Sequence, residues 1–178
     1  LLAAPRAVET LKVMAKARIL AEVLESSGNW RVIARLPADA ILRLAVLAKE
    51  PGTLQRDLRL SNEEARRLQA ISEAPLVTPE FRESERRRIL YHIGPQAWRD
   101  AVHLAWAQGR APLDHPDWRA LRDLSATWSV PKFPLTGRDL QAAGLAPGPA
   151  MGETLRRLED WWIASDFQPT REDLLKRV

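Results

Sequence analysis

The chain of 178 residues has no cysteine, only three histidines, and no apolar run approaching the length of a membrane span. Without cysteine it has neither a disulfide framework nor a thiolate metal site, which is typical of a reducing compartment. No basic-then-apolar leader marks it for secretion, and nothing indicates a membrane partner. We therefore expect a cytoplasmic protein. The absence of an initiator Met suggests a piece of a longer one.

The residues that usually carry catalysis are also missing. His92, His103 and His115 fall in three different predicted elements, with none of the close spacings of metal ligands. The sequence contains no P-loop, no Gly-x-Ser-x-Gly elbow and no cysteine nucleophile. We predict no catalytic residue, no metal site and no cofactor in this chain.

Positive charge is concentrated in the first third of the chain, although the formal net charge is only +4. Residues 1–60 hold 10 Lys and Arg against 6 Asp and Glu, whereas the two signs balance over residues 61–109 and over residues 110–178. A basic region can contact nucleic acid, but this charge is small for a protein that binds by phosphate neutralisation alone. We expect any RNA contact to be local.

The apolar pattern is helical throughout. No window alternates apolar and polar residues over a strand length with β-branched enrichment. We predict an all-α fold, an irregular stack of about nine short-to-medium antiparallel helices without a sheet. We divide it into a first helical part, residues 1–74, and a second, residues 75–178, with one continuous domain as the alternative.

Proline, glycine and capping residues set the bounds of the predicted helices. The first runs over residues 4–24, and a nearly apolar one follows over residues 38–48. An arginine-rich helix is predicted over residues 79–92, before a break at Gly94-Pro95. Side-chain caps are predicted at Ser61 with Glu64, at Asp114, and at Thr170 with Asp173.

The seven tryptophans lie mostly on predicted apolar faces. We interpret them as core and corner residues, because aromatic platforms for nucleic-acid bases stand beside basic residues. Trp30, beside Arg31, is the one candidate for such a platform.

Glycine and proline are densest within residues 134–165, which we predict to form a helix-turn-helix. Thr136 can cap a short helix, and Gly144 stands where a left-handed residue would end it. Pro149 suits the first position of the second helix, after Gly148. That helix is predicted to bury Met151, Leu155, Leu158 and Trp162 and to expose the ion pairs Glu153–Arg157 and Arg156–Asp160.

A phosphate could bind where the second helix begins. The N–H groups of Ala150, Met151 and Gly152 are predicted to be free at the positive end of the helix dipole. Glycine at positions 148 and 152 leaves room for an anion. The alternative is that these glycines and prolines only shape a tight corner.

A second basic candidate is the run Arg86, Arg87 and Arg88, which is interspersed with glutamates at helical spacing. Such a pattern indicates either a solvated, ion-paired face or contact with RNA phosphates.

Residues 135–167, LTGRDLQAAGLAPGPAMGETLRRLEDWWIASDF, resemble the C-terminal signature of bacterial class II CCA-adding enzymes, of the tRNA nucleotidyltransferase and poly(A) polymerase family. That signature has a Gly-x-Asp-Leu helix, a Gly-Pro turn, a further glycine, and a helix that ends in Trp before an acidic-aromatic pair. The matching residues are Gly137, Asp139, Leu140, Gly144, Gly148, Pro149, Gly152, Trp162, Asp166 and Phe167. Residues 56–68, with their Leu-x-Leu-Ser-Asn helix start, and residues 86–107 give weaker matches, and residues 1–24 resemble the family's stretch after its catalytic part.

The resemblance implies that the chain holds the acceptor and T arms of tRNA while a catalytic head outside it adds nucleotides, using magnesium with CTP and ATP. The residues it implies at the RNA backbone are Thr136, Gly137, Arg138, Gly148, Pro149 and Gly152. The family's Gly-x-Asp-x-Asp carboxylates and Glu-Asp-x-x-Arg helix do not occur in this sequence. We therefore predict that the chain alone is inactive. The alternatives are a non-catalytic helical module for another RNA or a protein, and a purely structural domain.

Overall fold

The computed structural model describes residues 1–24, 30–48, 51–109, 111–112 and 114–178. These residues form ten α-helices and one 3₁₀ turn with no strand, so the all-α prediction is confirmed. The elements are α1 (Ala7–Lys16), α2 (Ile19–Leu24), the 3₁₀ turn (Trp30–Arg35), α3 (Ala40–Leu47), α4 (Pro51–Asp57), α5 (Asn62–Ser72), α6 (Glu83–Gln108), α7 (Pro116–Thr127), α8 (Gly137–Ala142), α9 (Pro149–Ala164) and α10 (Arg171–Leu175).

The chain forms two compact units, each made of two segments of sequence. The first comprises residues 1–81 and 93–128, and the second comprises residues 82–92 and 129–178. The second unit therefore contains the start of α6 together with α8, α9 and α10. The domain boundary between residues 74 and 75 stays a prediction.

In the first unit α1 and α2 are separate helices, so the prediction of one helix over residues 4–24 is wrong. The chain breaks at Arg18, whose φ is 60°. Leu11 in α1 and Leu20 in α2 both belong to one apolar core. Positions nine residues apart would face opposite sides of a continuous helix, because each residue turns the chain by about 100°. The break therefore lets both leucines face the same core.

An ion-pair network also stabilises the first unit. Arg67 donates two hydrogen bonds to Asp100, at 2.9 and 2.8 Å, and one to Asp39 at 2.7 Å. Asp39 caps α3 by accepting the N–H of Leu42 at 2.9 Å. Burial raises the pKa of Asp39, but the hydrogen bonds from Leu42 and Arg67 outweigh it and hold the pKa below its ordinary value. Asp100 is only 2% exposed, so loss of Arg67 would leave a buried charge without its partner.

Two helix starts differ from their predicted positions. The arginine-rich helix begins at Glu83 rather than residue 79, and the Glu85 carboxylate accepts the N–H of Arg82 at 2.7 Å there. The predicted cap at Asp114 is wrong, because Pro116 takes the first position of α7 and places His115 at the cap.

The other predicted caps and the predicted helix break are confirmed. Ser61 with Glu64 and Thr170 with Asp173 form capping boxes at the starts of α5 and α10. The break at Gly94-Pro95 is present, with Gly94 at φ 79° and ψ 168° inside α6. A positive φ is strained for residues that carry a Cβ, so glycine suits this position.

Aromatic side chains fill the core of the second unit. Trp162 on α9 is 3% exposed. Its ring lies 5.0 Å from that of Phe167, 5.5 Å from that of Phe133 and 5.9 Å from that of Tyr91, centroid to centroid, in edge-on geometry. Such contacts add to the stabilisation from burial alone.

Among the described side chains three tryptophans are buried, as the sequence predicts, and each donates its ring N–H to a backbone carbonyl. Trp98 donates to the carbonyl of Leu121 at 2.9 Å, and Trp106 and Trp162 donate to proline carbonyls at 3.1 Å. The side chain of Trp30, the candidate base platform, lies outside the described residues.

Candidate nucleic-acid interface

At the start of the short helix α8, the donor groups of Thr136 are already bound to the carboxylate of Asp139. Thr136 donates its N–H and its hydroxyl to Oδ2 of Asp139, both at 2.7 Å. The guanidinium of Arg171 donates to the other oxygen, Oδ1, at 2.6 Å. The bond from Arg171 and then those from Thr136 lower the pKa of Asp139 to about 2. A phosphate that approached Thr136 would have to compete with this ionised carboxylate.

Gly137 and Arg138 follow, and they differ in environment. A Cβ at Gly137 would lie 3.4 Å from Sδ of Met151, so glycine here allows α8 and α9 to approach closely. Arg138 is exposed and makes no ion pair or hydrogen bond within the described part of the chain. Of these first residues of α8, Arg138 is therefore the one with a charge to offer to an external anion.

Gly144 ends α8 in a conformation that favours glycine. Its φ is 98°, and its N–H donates to the carbonyl of Gln141 at 2.9 Å. The next N–H, of Leu145, reaches back to Leu140 at 3.0 Å, and both leucines belong to the core of the second unit. These two bonds form a Schellman motif, so the predicted left-handed ending is confirmed.

The start of α9 is open on one side. Gly148 has φ 156° and ψ −176°, a combination that essentially only glycine adopts, and no atom lies within 4 Å of where its Cβ would be. Pro149 takes the first helical position, as predicted. Across the described residues no backbone oxygen accepts the N–H of Ala150. The N–H of Met151 is not free as predicted, because it donates to the carbonyl of Gly148 at 3.1 Å.

Arg156, which the sequence analysis assigned to an ion pair with Asp160, instead lies beside this helix start. Its Nη2 is the nearest atom to the position that a Cβ on Gly152 would take, at 4.0 Å. The predicted pairs Arg156–Asp160 and Glu153–Arg157 do not form in the part of the chain that the structure describes. Long side chains on a helix point toward its N-terminus, so the spacing of four residues was the available signal. The start of α9 thus combines a free N–H, two glycines and a guanidinium.

The arginine run on α6 separates into different environments. Arg87 donates to Oδ2 of Asp166 at 3.0 Å and also pairs with Glu83. Arg86 is half-buried and Arg88 is exposed. Arg87 therefore joins α6 to the end of α9 within the second unit, and Arg88 is the member of the run whose side chain is most open to a ligand.

No helix in the described ranges is both long and apolar enough to cross a membrane. Within the same ranges, no group of three or more His, Asp or Glu side chains is arranged to hold a metal ion.

Comparison with protein families decides the classification of this fold. Residues 38–178 match a model of the family described as tRNA nucleotidyltransferase domain 2. The matched segment includes α3 to α10 and therefore the whole helix-turn-helix. The chain belongs to this family. Its helical region is that of CCA-adding enzymes, so the resemblance read from the Gly-Pro segment is confirmed.

Individual relatives are similar over shorter segments. An uncharacterized 28 kDa protein in the petA 5′ region of Rhodospirillum rubrum is 36% identical over 97 residues, which is 51% of this chain and 38% of that protein. The mitochondrial CCA tRNA nucleotidyltransferase 1 of Danio rerio is 38% identical over 58 residues, 33% of this chain and 14% of the enzyme. The human enzyme of that name is 33% identical over 51 residues, 29% of this chain and 12% of the enzyme. The chain thus matches well under two thirds of each relative.

Proposed function

We propose that this chain binds the acceptor and T arms of tRNA and positions the 3′ end for nucleotide addition. The addition itself is assigned to a catalytic head that these 178 residues do not contain, and magnesium with CTP and ATP would act there. The observation that carries the proposal is the family match over residues 38–178, which includes the open start of α9. Two relatives that are similar to this chain over 58 and 51 residues are named CCA tRNA nucleotidyltransferases.

The start of α9 supports an RNA-backbone contact. Backbone N–H groups at a helix N-terminus and arginine side chains are the donors that proteins use for phosphates. Pro149 begins the helix, and the space beside Gly148 and Gly152 near the Ala150 N–H holds no bulky side chain. The guanidinium beside Gly152, from Arg156, adds a bidentate donor.

The start of α8 and the arginine run on α6, which the sequence also predicts at the RNA, contribute fewer contacts in this proposal. At α8, Arg138 supplies the charge, while Thr136 and Gly137 hold the helix start and its contact with α9. On α6 we assign an RNA contact to Arg88, while Arg87 keeps its intramolecular ion pairs and Arg86 lies half-buried beside it. Phosphate contacts of this kind fix the register of the RNA without reading its sequence.

Binding of the 178-residue chain to a minihelix of the acceptor and T arms tests the proposal. With a net charge of +4, we expect a dissociation constant of about 10⁻⁴ to 10⁻⁶ M at physiological salt, as for non-specific nucleic-acid binding. Gly152→Val should weaken binding by crowding the anion. The helix should survive, because outside the adjoining backbone the nearest atom to the new Cβ is the end of the flexible Arg156 side chain, 4.0 Å away.

Ala164→Val is the matched control, because it adds the same β-branched side chain at the exposed other end of α9. Arg138→Ala and Arg156→Ala should each lower the slope of log affinity against log salt by about 0.7 to 0.9, the effect of one lost phosphate contact. If the folded Gly152→Val and Ala164→Val variants bind the minihelix equally well, the start of α9 does not bind RNA and its glycines and prolines only shape a tight corner. Equal binding of an unrelated RNA hairpin would favour a general RNA module over a tRNA-specific one.

A further inference from the structure

A second basic surface lies in the first unit, on α1 and the 3₁₀ turn. Val8, Lys12, Ala15, Lys16 and Arg31 line an open groove of about 570 Å³. Lys12 and Lys16 stand one helical turn apart, so their Cα atoms are separated by about 6 Å along the axis. Val8 and Ala15 pack against the apolar core of the unit and form the floor between the charged side chains.

Among the described residues, the charged side chains that line this groove are all cations. Lys12 and Lys16 are exposed and form no ion pair in the described part of the chain. The acidic residue of α1, Glu9, pairs instead with Arg6 at 3.3 Å. Like charges one turn apart destabilise a helix, so a bound anion would relieve a repulsion between Lys12 and Lys16. The groove also lies in the third of the chain that carries the whole excess of positive charge.

We propose that this groove is a second RNA contact, which takes the phosphate backbone of a nucleic-acid strand between Lys12, Lys16 and Arg31. The proposal rests on the proposed function, but it concerns residues outside the family match, which begins at residue 38. Ammonium groups on long stems bind successive phosphates as point charges, and the floor of Val8 and Ala15 can contact the sugar between them.

A lipid surface fits the groove less well than RNA does. A helix that lies on a membrane inserts a broad apolar face between the lipid head groups. The apolar face of α1 is occupied, because Ala7 and Leu11 are each 1% exposed and buried in the protein. Val13 is exposed on α1, but one valine does not make a broad apolar face. The lysine face is therefore what α1 offers to a partner, and a polyanion is the chemistry that matches it.

The test is a salt titration of minihelix binding with the double variant Lys12→Gln, Lys16→Gln. The matched control is Lys132→Gln, Lys176→Gln, which removes the same charge from exposed lysines of the second unit. Because each phosphate contact contributes about 0.7 to 0.9 to the slope, the groove variant should lower it by about 1.5 and the control should leave it unchanged. Bound RNA should also protect Lys12 and Lys16, but not Lys132, from amine-modifying reagents.

The outcomes separate this proposal from the proposed function. If the wild-type chain binds the minihelix but the groove variant keeps the full salt slope, only the groove is overturned. The groove is also overturned if both double variants lower the slope equally, since net charge then explains the effect. Binding of phosphatidylserine vesicles that depends on Lys12 and Lys16, with an unchanged RNA slope, would assign the groove to lipid instead. If the wild-type chain does not bind the minihelix, both proposals are wrong.

Discussion

Asp166 and Phe167 show how an acidic-aromatic pair can end a helix without glycine. Both have positive φ, 52° and 62°. Their N–H groups donate to the carbonyls of Ile163 at 3.1 Å and Trp162 at 3.0 Å, which is the pattern of a Schellman motif. Aspartate tolerates the left-handed conformation better than most residues, and here its carboxylate pairs with Arg87. Phe167 then packs on Trp162. The pair therefore both ends the helix and contributes a ring to the aromatic core.

Asp139 is a second residue whose charge is part of the structure, and it predicts a pH dependence. Hydrogen bonds from Arg171 and Thr136 lower its pKa to about 2, from an ordinary value of 3.8. The stabilisation from this carboxylate is therefore complete above about pH 4 and is lost as the pH falls toward 2. We expect Asp139→Asn to be less stable than the wild type at pH 5 and the difference to vanish near pH 2.

Urea unfolding of both proteins between pH 5 and pH 2 measures this difference. Arg171→Gln is the companion variant, because it removes the bond to Oδ1 and leaves the two bonds from Thr136 in place. It should show a smaller loss over the same pH range. A stability difference that persists unchanged at pH 2 would contradict the assigned role of the carboxylate.

At the scale of elements, local chemistry predicts most helix ends and misses those that depend on distant residues. Gly144, Pro149 and the Ser61 cap act through atoms within a few residues, so their positions could be read from the sequence. The break at Arg18 could not, because it depends on where Leu11 and Leu20 meet the core. Asp114 was a plausible cap, but Pro116 fixes the start of α7 one residue later.

The buried face of α9 gives a prediction about stability. Trp162 is 3% exposed, contacts three aromatic rings and donates its ring N–H to Pro169. Trp162→Ala should therefore lower the free energy of unfolding by about 3 to 5 kcal/mol, as for other large buried aromatic residues. Chemical denaturation of the 178-residue chain measures the change.

Trp161 provides the control within the same helix. It is half-buried, and the guanidinium of Arg177 lies 3.7 Å from its ring centroid. Trp161→Ala should cost only about 1 to 2 kcal/mol, since a surface cation–π contact is worth about 0.5 to 1 kcal/mol and part of the ring is in water already. Similar losses for the two variants would show that burial does not distinguish them.

At the scale of the molecule, the sequence predicts the fold class and the position of the candidate site better than the site's composition. The glycine and proline spacing placed a helix start near residue 149, and the structure has it there. The contacts that decide which side chains remain available join residues far apart, such as Arg87 with Asp166 and Arg171 with Asp139. Periodicity describes one element at a time, so it carried no signal for these pairs.

The last prediction concerns catalysis by the chain as a whole. The resemblance to CCA-adding enzymes implies that nucleotide transfer needs metal ions held by a carboxylate cluster, and the sequence lacks the Gly-x-Asp-x-Asp pattern that would supply it. We expect the purified 178-residue chain to incorporate neither CTP nor ATP into tRNA in the presence of magnesium. An active CCA-adding enzyme in the same assay is the positive control. Incorporation that depends on magnesium and persists through repeated purification of the chain would show that these residues hold a catalytic centre of their own.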